Sequence, residues 1–249
     1  RQHGNSDGPC LDSIEKIADW LEEVFKKFDL NDDSVVVIIG SGAGGGTLGN
    51  ELAQKGVNVV CLEAGKKLSL DDIENDWGAM FGKLSWVDKR QGTGDLLAGL
   101  PLWVCKTVGG TTVHWAGASL RFKDHEFRAR SQYGDIEGAN LLDWPIDPNE
   151  MERFYSMAED KMGTTGTHGI PRLPGNNNFQ VMEYGAKALG YTDVHTGNMS
   201  INSQPRDGRP GCHQIGFCMA GCAIGAKWST LYTEIPKAEA TGRFELRSE

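Results

Sequence analysis

Between Val35 and Gly65 the chain reads VVVIIGSGAGGGTLGNELAQKGVNVVCLEAG, a stretch that restricts the possible folds more than any other segment. Val35 to Ile39 is an unbroken run of β-branched residues, the pattern of a strand buried on both faces. Gly40, Gly42 and Gly45 follow in G-x-G-x-x-G register. A helical pattern with Leu48 and Leu52 then runs to Gly56, the predicted C-cap. A second apolar run, Val57 to Leu62, ends on Glu63. Strand, glycine turn, helix, second strand and acidic tip fall within about 30 residues, as a βαβ dinucleotide unit requires.

Each part has a physical role. Gly40 permits the tight strand-to-helix turn, Gly42 lets a pyrophosphate approach the backbone, and Gly45 lets the helix lie close to the sheet. The helix N-terminus offers N–H groups and a positive dipole end to phosphates. Glu63 is placed to accept hydrogen bonds from a ribose, and its charge disfavours a phosphorylated ribose. A dinucleotide is the expected ligand, and NADP is not.

The 249 residues are enough for one large domain or two ordinary ones. A net charge of −9 argues against a surface built for nucleic acid or anionic lipid. Glycine accounts for 33 residues, well above the usual share of about 7 %, which points to tight turns and backbone held close to a ligand. No apolar run approaches the roughly 20 residues of a membrane span. The chain begins without Met or a signal-peptide pattern, and Phe244 to Leu246 reads as a strand pairing begun just before the last residue. The expectation is a portion of a longer protein.

Residues 1–10 read as a loose polar arm. An amphipathic helix is predicted over Asp12–Phe28, with Ile14, Ile17, Leu21, Val24, Phe25 and Phe28 at helical spacing. Residues 66–105 lack periodicity but carry Trp77, Phe81, Trp86 and Trp103. A second glycine cluster, Val108-Gly109-Gly110-Thr111-Thr112-Val113-His114-Trp115, suggests backbone close to a flat or phosphorylated ligand. Asp147 caps a predicted helix with Pro148 at N1 and Glu150 at N3, closed by Gly163. Its expected buried stripe is Met151, Phe154, Tyr155, Ala158 and Met162. A surface loop over 164–178 and a helix over Phe179–Leu189 follow.

Three of the six cysteines fall within eleven residues: Cys212, Cys218 and Cys222, spaced C-x5-C-x3-C. Set on the bacterial ferredoxin run C-x2-C-x2-C-x3-C-P, three positions coincide, and Ile215 stands where the second cysteine would be. Three thiolates with an apolar residue in the fourth place suit an iron–sulfur cluster lacking one iron. A disulfide, a zinc site completed by His213, and small buried thiols remain open alternatives. Cys10, Cys61 and Cys105 are isolated, and Cys61 is expected in the core.

Together these motifs resemble the glucose–methanol–choline (GMC) oxidoreductases from Val35 onward. The carriers are IIGSGAGGG with LEAG, VGGTTVHWAG, DWPI with its helix, and GCHQIGFCMAGCAIGAKWSTLYTEIP. The last stretch is similar to the flavoprotein subunits of bacterial membrane-associated sugar, polyol and sugar-acid dehydrogenases. The resemblance implies FAD on Gly40, Gly42, Gly45 and Glu63, with Gly109, Gly110, Thr111 and His114 close to the flavin. In that branch three cysteines at this spacing hold a [3Fe-4S] cluster, which assigns Cys212, Cys218 and Cys222 as its ligands. His114-Trp115 is similar to the Thr-His-Trp of pyranose oxidases, where the histidine carries the flavin covalently. Val113 replaces the threonine here and leaves covalent and non-covalent binding both open. The family's catalytic base is a histidine of the C-terminal part, paired with His or Asn. No histidine here matches that motif, and no catalytic residue is assigned.

The expected fold is α/β: a Rossmann-like FAD-binding domain over 35–163, with βαβ unit 35–65, flavin-proximal loop 108–118 and helical or loop insertions. An N-terminal arm and helix over 1–34 precede it, and the beginning of a substrate domain over 164–249 carries the cysteines. The expected activity is oxidation of a CH–OH group of a sugar, polyol or sugar acid, with electrons leaving through the cluster to a cytochrome or quinone. An oxidase using O₂, or a non-catalytic flavin and iron–sulfur electron carrier, are the alternatives. The resemblance further implies a small partner subunit, a cytochrome acceptor, and a periplasmic, membrane-associated location reached through those partners.

Overall fold

The computed structural model describes residues 34–84 and 104–249. The helix expected over Asp12–Phe28, the arm before it, Cys10, Trp86 and Trp103 lie outside the described residues. Strand β1 (Val35–Ile39) leads into helix α1 (Ala43–Gln54) and strand β2 (Asn58–Leu62), close to the predicted bounds. Gly56 adopts φ +86° just after the helix. The two strands pair in parallel, Val35 opposite Asn58 through Ile39 opposite Leu62, which obliges the chain to cross over through α1. Strand β3 (Phe244–Arg247) adds to the other side of β2, again in parallel, with Val59 opposite Phe244. The sheet order is β1-β2-β3, within a mixed α/β fold.

The helix lies against the sheet because glycines let it. A Cβ on Gly45 would come within 1.9 Å of the Gly40 carbonyl oxygen, and one on Gly49 within 2.6 Å of the Phe244 ring. The core forms where α1 and α7 (Glu234–Glu239) cover the sheet, around Ile38, Val59, Cys61, Leu231, Ile235 and Phe244. Cys61 is fully buried there, as expected, and burial pushes its thiol up to about 11.

One expectation fails. β1 is not covered on both faces among the described residues: Ile38 is 7 % exposed, but Val37 is 58 % and Ile39 87 % exposed. Successive side chains of a strand point to opposite faces: Ile38 faces α1 beside Gly45, whereas Val37 and Ile39 point to the other face, which no described residue covers.

By compactness the described residues form two units, one of residues 120–161 and one of 34–119 with 162–249. The larger unit holds both the βαβ unit and the cysteine region. In the larger unit, α2 (Trp77–Leu84) lies within the stretch that lacked periodicity, and α6 (Asn177–Ala188) is capped by Asn176, whose side chain accepts from Phe179 N–H at 3.0 Å.

The smaller unit holds α3 (Asp124–Phe127), α4 (Ala129–Tyr133) and most of α5 (Pro148–Met162). Asp147 caps α5 as predicted, accepting from Asn149 N–H at 2.9 Å. The expected apolar stripe is only half-buried, and Ala158 is exposed. The buried residue of α5 is instead Glu159, whose two oxygens each accept from Arg121, both at 2.7 Å. The bidentate pair supplies the partners a buried carboxylate needs. No helix of the described residues is long and apolar enough to cross a membrane.

Candidate functional site

The glycine turn is held by a residue the motif treats as a spacer. Gly40 sits at φ +92°, a left-handed conformation that glycine adopts without strain. It delivers Ser41 into full burial. The Ser41 hydroxyl donates to Glu63 Oε2 at 2.6 Å, and its N–H donates to the same oxygen at 3.0 Å. Gly65 N–H donates to the other Glu63 oxygen at 3.1 Å. A carboxylate has about four lone-pair positions, so Glu63 braces the turn from the tip of β2 and retains acceptor capacity.

The second glycine cluster packs directly on the first. Gly109 N–H donates to Ser41 Oγ at 2.9 Å, and a Cβ on Gly110 would stand 3.1 Å from Gly42 Cα. Gly109 is left-handed, φ +92°, and caps a short 3₁₀ turn over Gly110–Val113. Of its two threonines, Thr111 is exposed. Thr112 is buried; its hydroxyl donates to Gly109 O at 2.5 Å and accepts from Thr230 N–H at 3.2 Å. Thr230 in turn donates through its hydroxyl to Ser41 O at 2.8 Å. The structure thus brings together Gly40, Gly42, Gly45, Glu63, Gly109 and Gly110, with Thr111 beside them.

His114 follows the 3₁₀ turn and is 4 % exposed. Burial, aided by the charge of Lys227, lowers its pKa from the ordinary value, so the ring is neutral at pH 7. Trp115 donates from its indole to Trp228 O at 2.9 Å, and the two rings meet edge to face at 6.0 Å.

Lys227 joins this loop to the cysteines. It is fully buried, and its ammonium donates to Val113 O at 2.9 Å, Trp115 O at 2.5 Å and Cys218 O. Burial brings its pKa down to about 8, and nearby cysteines act in the opposite direction. Cys212, Cys218 and Cys222 are all free thiols, partly buried. They line one cavity of about 390 Å³, together with Ile215, Phe217 and Lys227 among others. Backbone N–H groups point at two of the sulfurs: Gln214 to Cys212 Sγ at 3.3 Å and Lys227 to Cys222 Sγ at 3.4 Å. Burial raises the Cys218 thiol, and Cys212 and Cys222 add to the rise. Ligation of a metal centre would therefore release protons.

Two groups can be tested against these residues. A pyrophosphate suits the cradle of Gly40–Gly42 and Gly109–Gly110, where α1 opens without a side-chain cap or an acidic residue in its first turn. An iron–sulfur cluster suits the cysteine loop: three free thiols line one cavity and two of the sulfurs accept N–H bonds, as cluster sulfurs do. Among the described residues no three His, Cys, Asp or Glu side chains are grouped to hold a single metal ion. The disulfide alternative is not the state of these three cysteines.

Ser41, Thr112, Thr230 and Lys227 were not singled out from the sequence. Three lie inside motifs, GSG, GGTT and WST, but their roles depend on partners tens to hundreds of residues away. The buried lysine had one signal, a cation five residues after a cysteine in an otherwise small and apolar stretch.

Comparison with known proteins gives a consistent answer. The family model described as GMC oxidoreductase matches residues 97–246. The fructose dehydrogenase large subunit of Gluconobacter japonicus is 31 % identical, over 83 % of this chain and 43 % of its own length. Paromamine 6'-oxidase of Streptomyces fradiae is 30 % identical, over 88 % of this chain and 41 % of its own. The gluconate 2-dehydrogenase flavoprotein of Pantoea cypripedii is 26 % identical, over 85 % and 43 %. The chain therefore spans about two fifths of the length of these relatives. With a glycine cradle suited to the pyrophosphate of FAD and a family model covering more than half of its residues, the chain belongs to the GMC oxidoreductase family.

Proposed function

We propose that the whole protein is an FAD-dependent dehydrogenase that oxidises a CH–OH group of a sugar, polyol or sugar acid. FAD is held on a Rossmann-like unit, and electrons leave through a [3Fe-4S] cluster on Cys212, Cys218 and Cys222. The observation that carries the flavin reading is the joined backbone cradle of Gly40–Gly42 and Gly109–Gly110, tied through Ser41. When bound, flavin takes up a hydride while the hydroxyl proton goes to a base, and an iron–sulfur centre passes the two electrons on singly.

This chain's residues have separate tasks. The N-terminus of α1 and the glycine backbones carry the pyrophosphate, and Glu63 offers its remaining acceptor capacity to the ribose. Neutral His114 stands beside the flavin as a hydrogen-bonding or covalent neighbour; acid precipitation of the protein distinguishes the two, since only covalent flavin stays in the pellet. Residues 164–249 begin the substrate domain. A sugar or sugar-acid substrate is favoured by the relatives named as fructose and gluconate dehydrogenases. The electron acceptor is a cytochrome or quinone reached with a small partner subunit on the periplasmic side of the membrane.

The test is anaerobic addition of a panel of sugars, polyols and sugar acids to the full-length holoprotein, with flavin absorbance, iron content and cytochrome reduction measured. Bleaching of the flavin with cytochrome reduction supports the proposal; a flavin that no member of the panel reduces overturns the activity. A second reading, an oxidase using O₂, is favoured by the relative named as paromamine 6'-oxidase. It requires substrate-dependent O₂ consumption that survives loss of iron.

A further inference from the structure

We propose that Lys227 is a positioning residue that couples the His114 loop to the cysteine loop and sets the electrostatic potential at the thiolates. The inference rests on the reading of Cys212, Cys218 and Cys222 as cluster ligands and of His114 as a flavin neighbour.

The geometry is unusual for a lysine. Side chains of this type are almost never fully buried without a paired charge, yet Lys227 is 0 % exposed and its three bonds go to carbonyls rather than to a carboxylate. An ammonium has three N–H donors, and all three are used. Two hold the carbonyls on either side of His114, those of Val113 and Trp115, and the third holds Cys218 O. The backbone N–H of the same residue donates to Cys222 Sγ at 3.4 Å. One residue therefore fixes both flanks of His114, the turn carrying one thiol and the sulfur of another.

Burying a cation without a counterion is costly. The cost is offset where negative charge lies close by, and three thiolates around an iron–sulfur centre supply it. A positive charge beside such a centre favours its reduced form, which carries one more electron, and so raises its reduction potential. The bonds to Val113 and Trp115 hold the backbone on both sides of His114, and the same charge acts on its ring. A movement of either loop is transmitted to the other through this ammonium, beside the Trp115–Trp228 contact.

The experiment compares full-length holoprotein with Lys227→Met and Lys227→Arg variants. The cluster potential is read by EPR-monitored redox titration, and hydrogen exchange is followed in peptides covering 113–117, 218–222 and 58–62. The expected result is a lower cluster potential in Lys227→Met, a value nearer the unsubstituted protein in Lys227→Arg, and faster exchange in the first two peptides with the third unchanged. A Lys227→Met potential and exchange pattern equal to the unsubstituted protein overturns the proposal. So does an equal fall in Lys227→Arg, which marks packing and not charge. If Lys227→Met does not accumulate, Lys227→Gln, which is neutral but hydrogen-bonding, must show the lowered potential. Absence of iron from the unsubstituted protein sinks the cluster reading instead. Exchange in the Lys227→Met variant then decides the loop coupling by itself, because it needs no metal.

Discussion

The Ser41 hydroxyl donates to Glu63 Oε2 at 2.6 Å. That bond joins the second residue of the glycine turn to the acidic tip of β2, and the same hydroxyl oxygen accepts from Gly109 N–H at 2.9 Å. Ser41→Ala removes both at once. It leaves Gly109 N–H without its acceptor and Glu63 with one donor fewer, a loss on the order of 1–3 kcal/mol when a charged partner is involved. The two glycine segments should separate, and flavin retention should fall by ten-fold or more while the sheet persists. Dissociation constants from flavin fluorescence, with far-UV circular dichroism as the fold control, check this. Unchanged affinity would refute it.

Gly42 and Gly45 should fail in different ways. A Cβ on Gly42 meets nothing closer than Gly110 Cα at 3.9 Å, and the residue has φ −66°. The protein itself therefore tolerates Gly42→Ala, and the methyl group intrudes only on the approach of a pyrophosphate. A Cβ on Gly45 falls 1.9 Å from the Gly40 carbonyl oxygen, so Gly45→Ala must push α1 off the strand. Gly42→Ala is expected to yield folded protein with little flavin, and Gly45→Ala protein whose melting temperature drops with or without flavin. Equal melting temperatures of flavin-depleted protein in the two variants would contradict the distinction.

These contrasts show what was legible in advance. The βαβ unit was readable because strand, turn and helix are specified locally, by an apolar run, glycine spacing and helical periodicity. That Cys212, Cys218 and Cys222 share one cavity was readable too, since they lie within eleven residues. Ser41 and Lys227 were not, since their roles come from contacts with residues 68 and 114 positions away, and spacing carries no record of such partners. The exposure of Val37 and Ile39 was misjudged because an apolar run reports only that a strand suits burial. Glu159 in place of an apolar stripe was hidden by its partner Arg121, 38 residues earlier in the chain.

His114 gives a pH prediction. Burial and the neighbouring Lys227 hold its pKa below the ordinary 6.5. As pH falls through 6.5 the unfolded chain takes up a proton that the folded chain refuses, so stability decreases. The decrease stops once pH passes below the folded pKa. The slope between those limits is at most about 1.4 kcal/mol per pH unit. His114→Gln should remove this contribution and flatten the curve between pH 7 and the folded pKa. Denaturant midpoints measured across pH 5 to 8 test it; parallel curves for the two proteins would show that His114 is not the group responsible.

The cysteine loop yields the remaining prediction. Cys212, Cys218 and Cys222 line one cavity as free thiols, and two of their sulfurs accept backbone N–H bonds. Ile215, which lines the same cavity, offers no donor atom, so three thiolates match three irons and disfavour a fourth. Replacing any one of the three by Ser should abolish the low-temperature EPR signal of the oxidised holoprotein and most of its iron. If the cluster is the electron exit proposed above, electron delivery to an acceptor cytochrome should fall by at least a hundred-fold. On the proposed function, flavin reduction by substrate should survive within a few-fold, since hydride transfer would precede any electron transfer to the thiol site. If instead the Ser variants keep full cytochrome reduction, or the unsubstituted protein carries stoichiometric zinc and no iron, the thiols serve another purpose and the electrons leave the flavin directly.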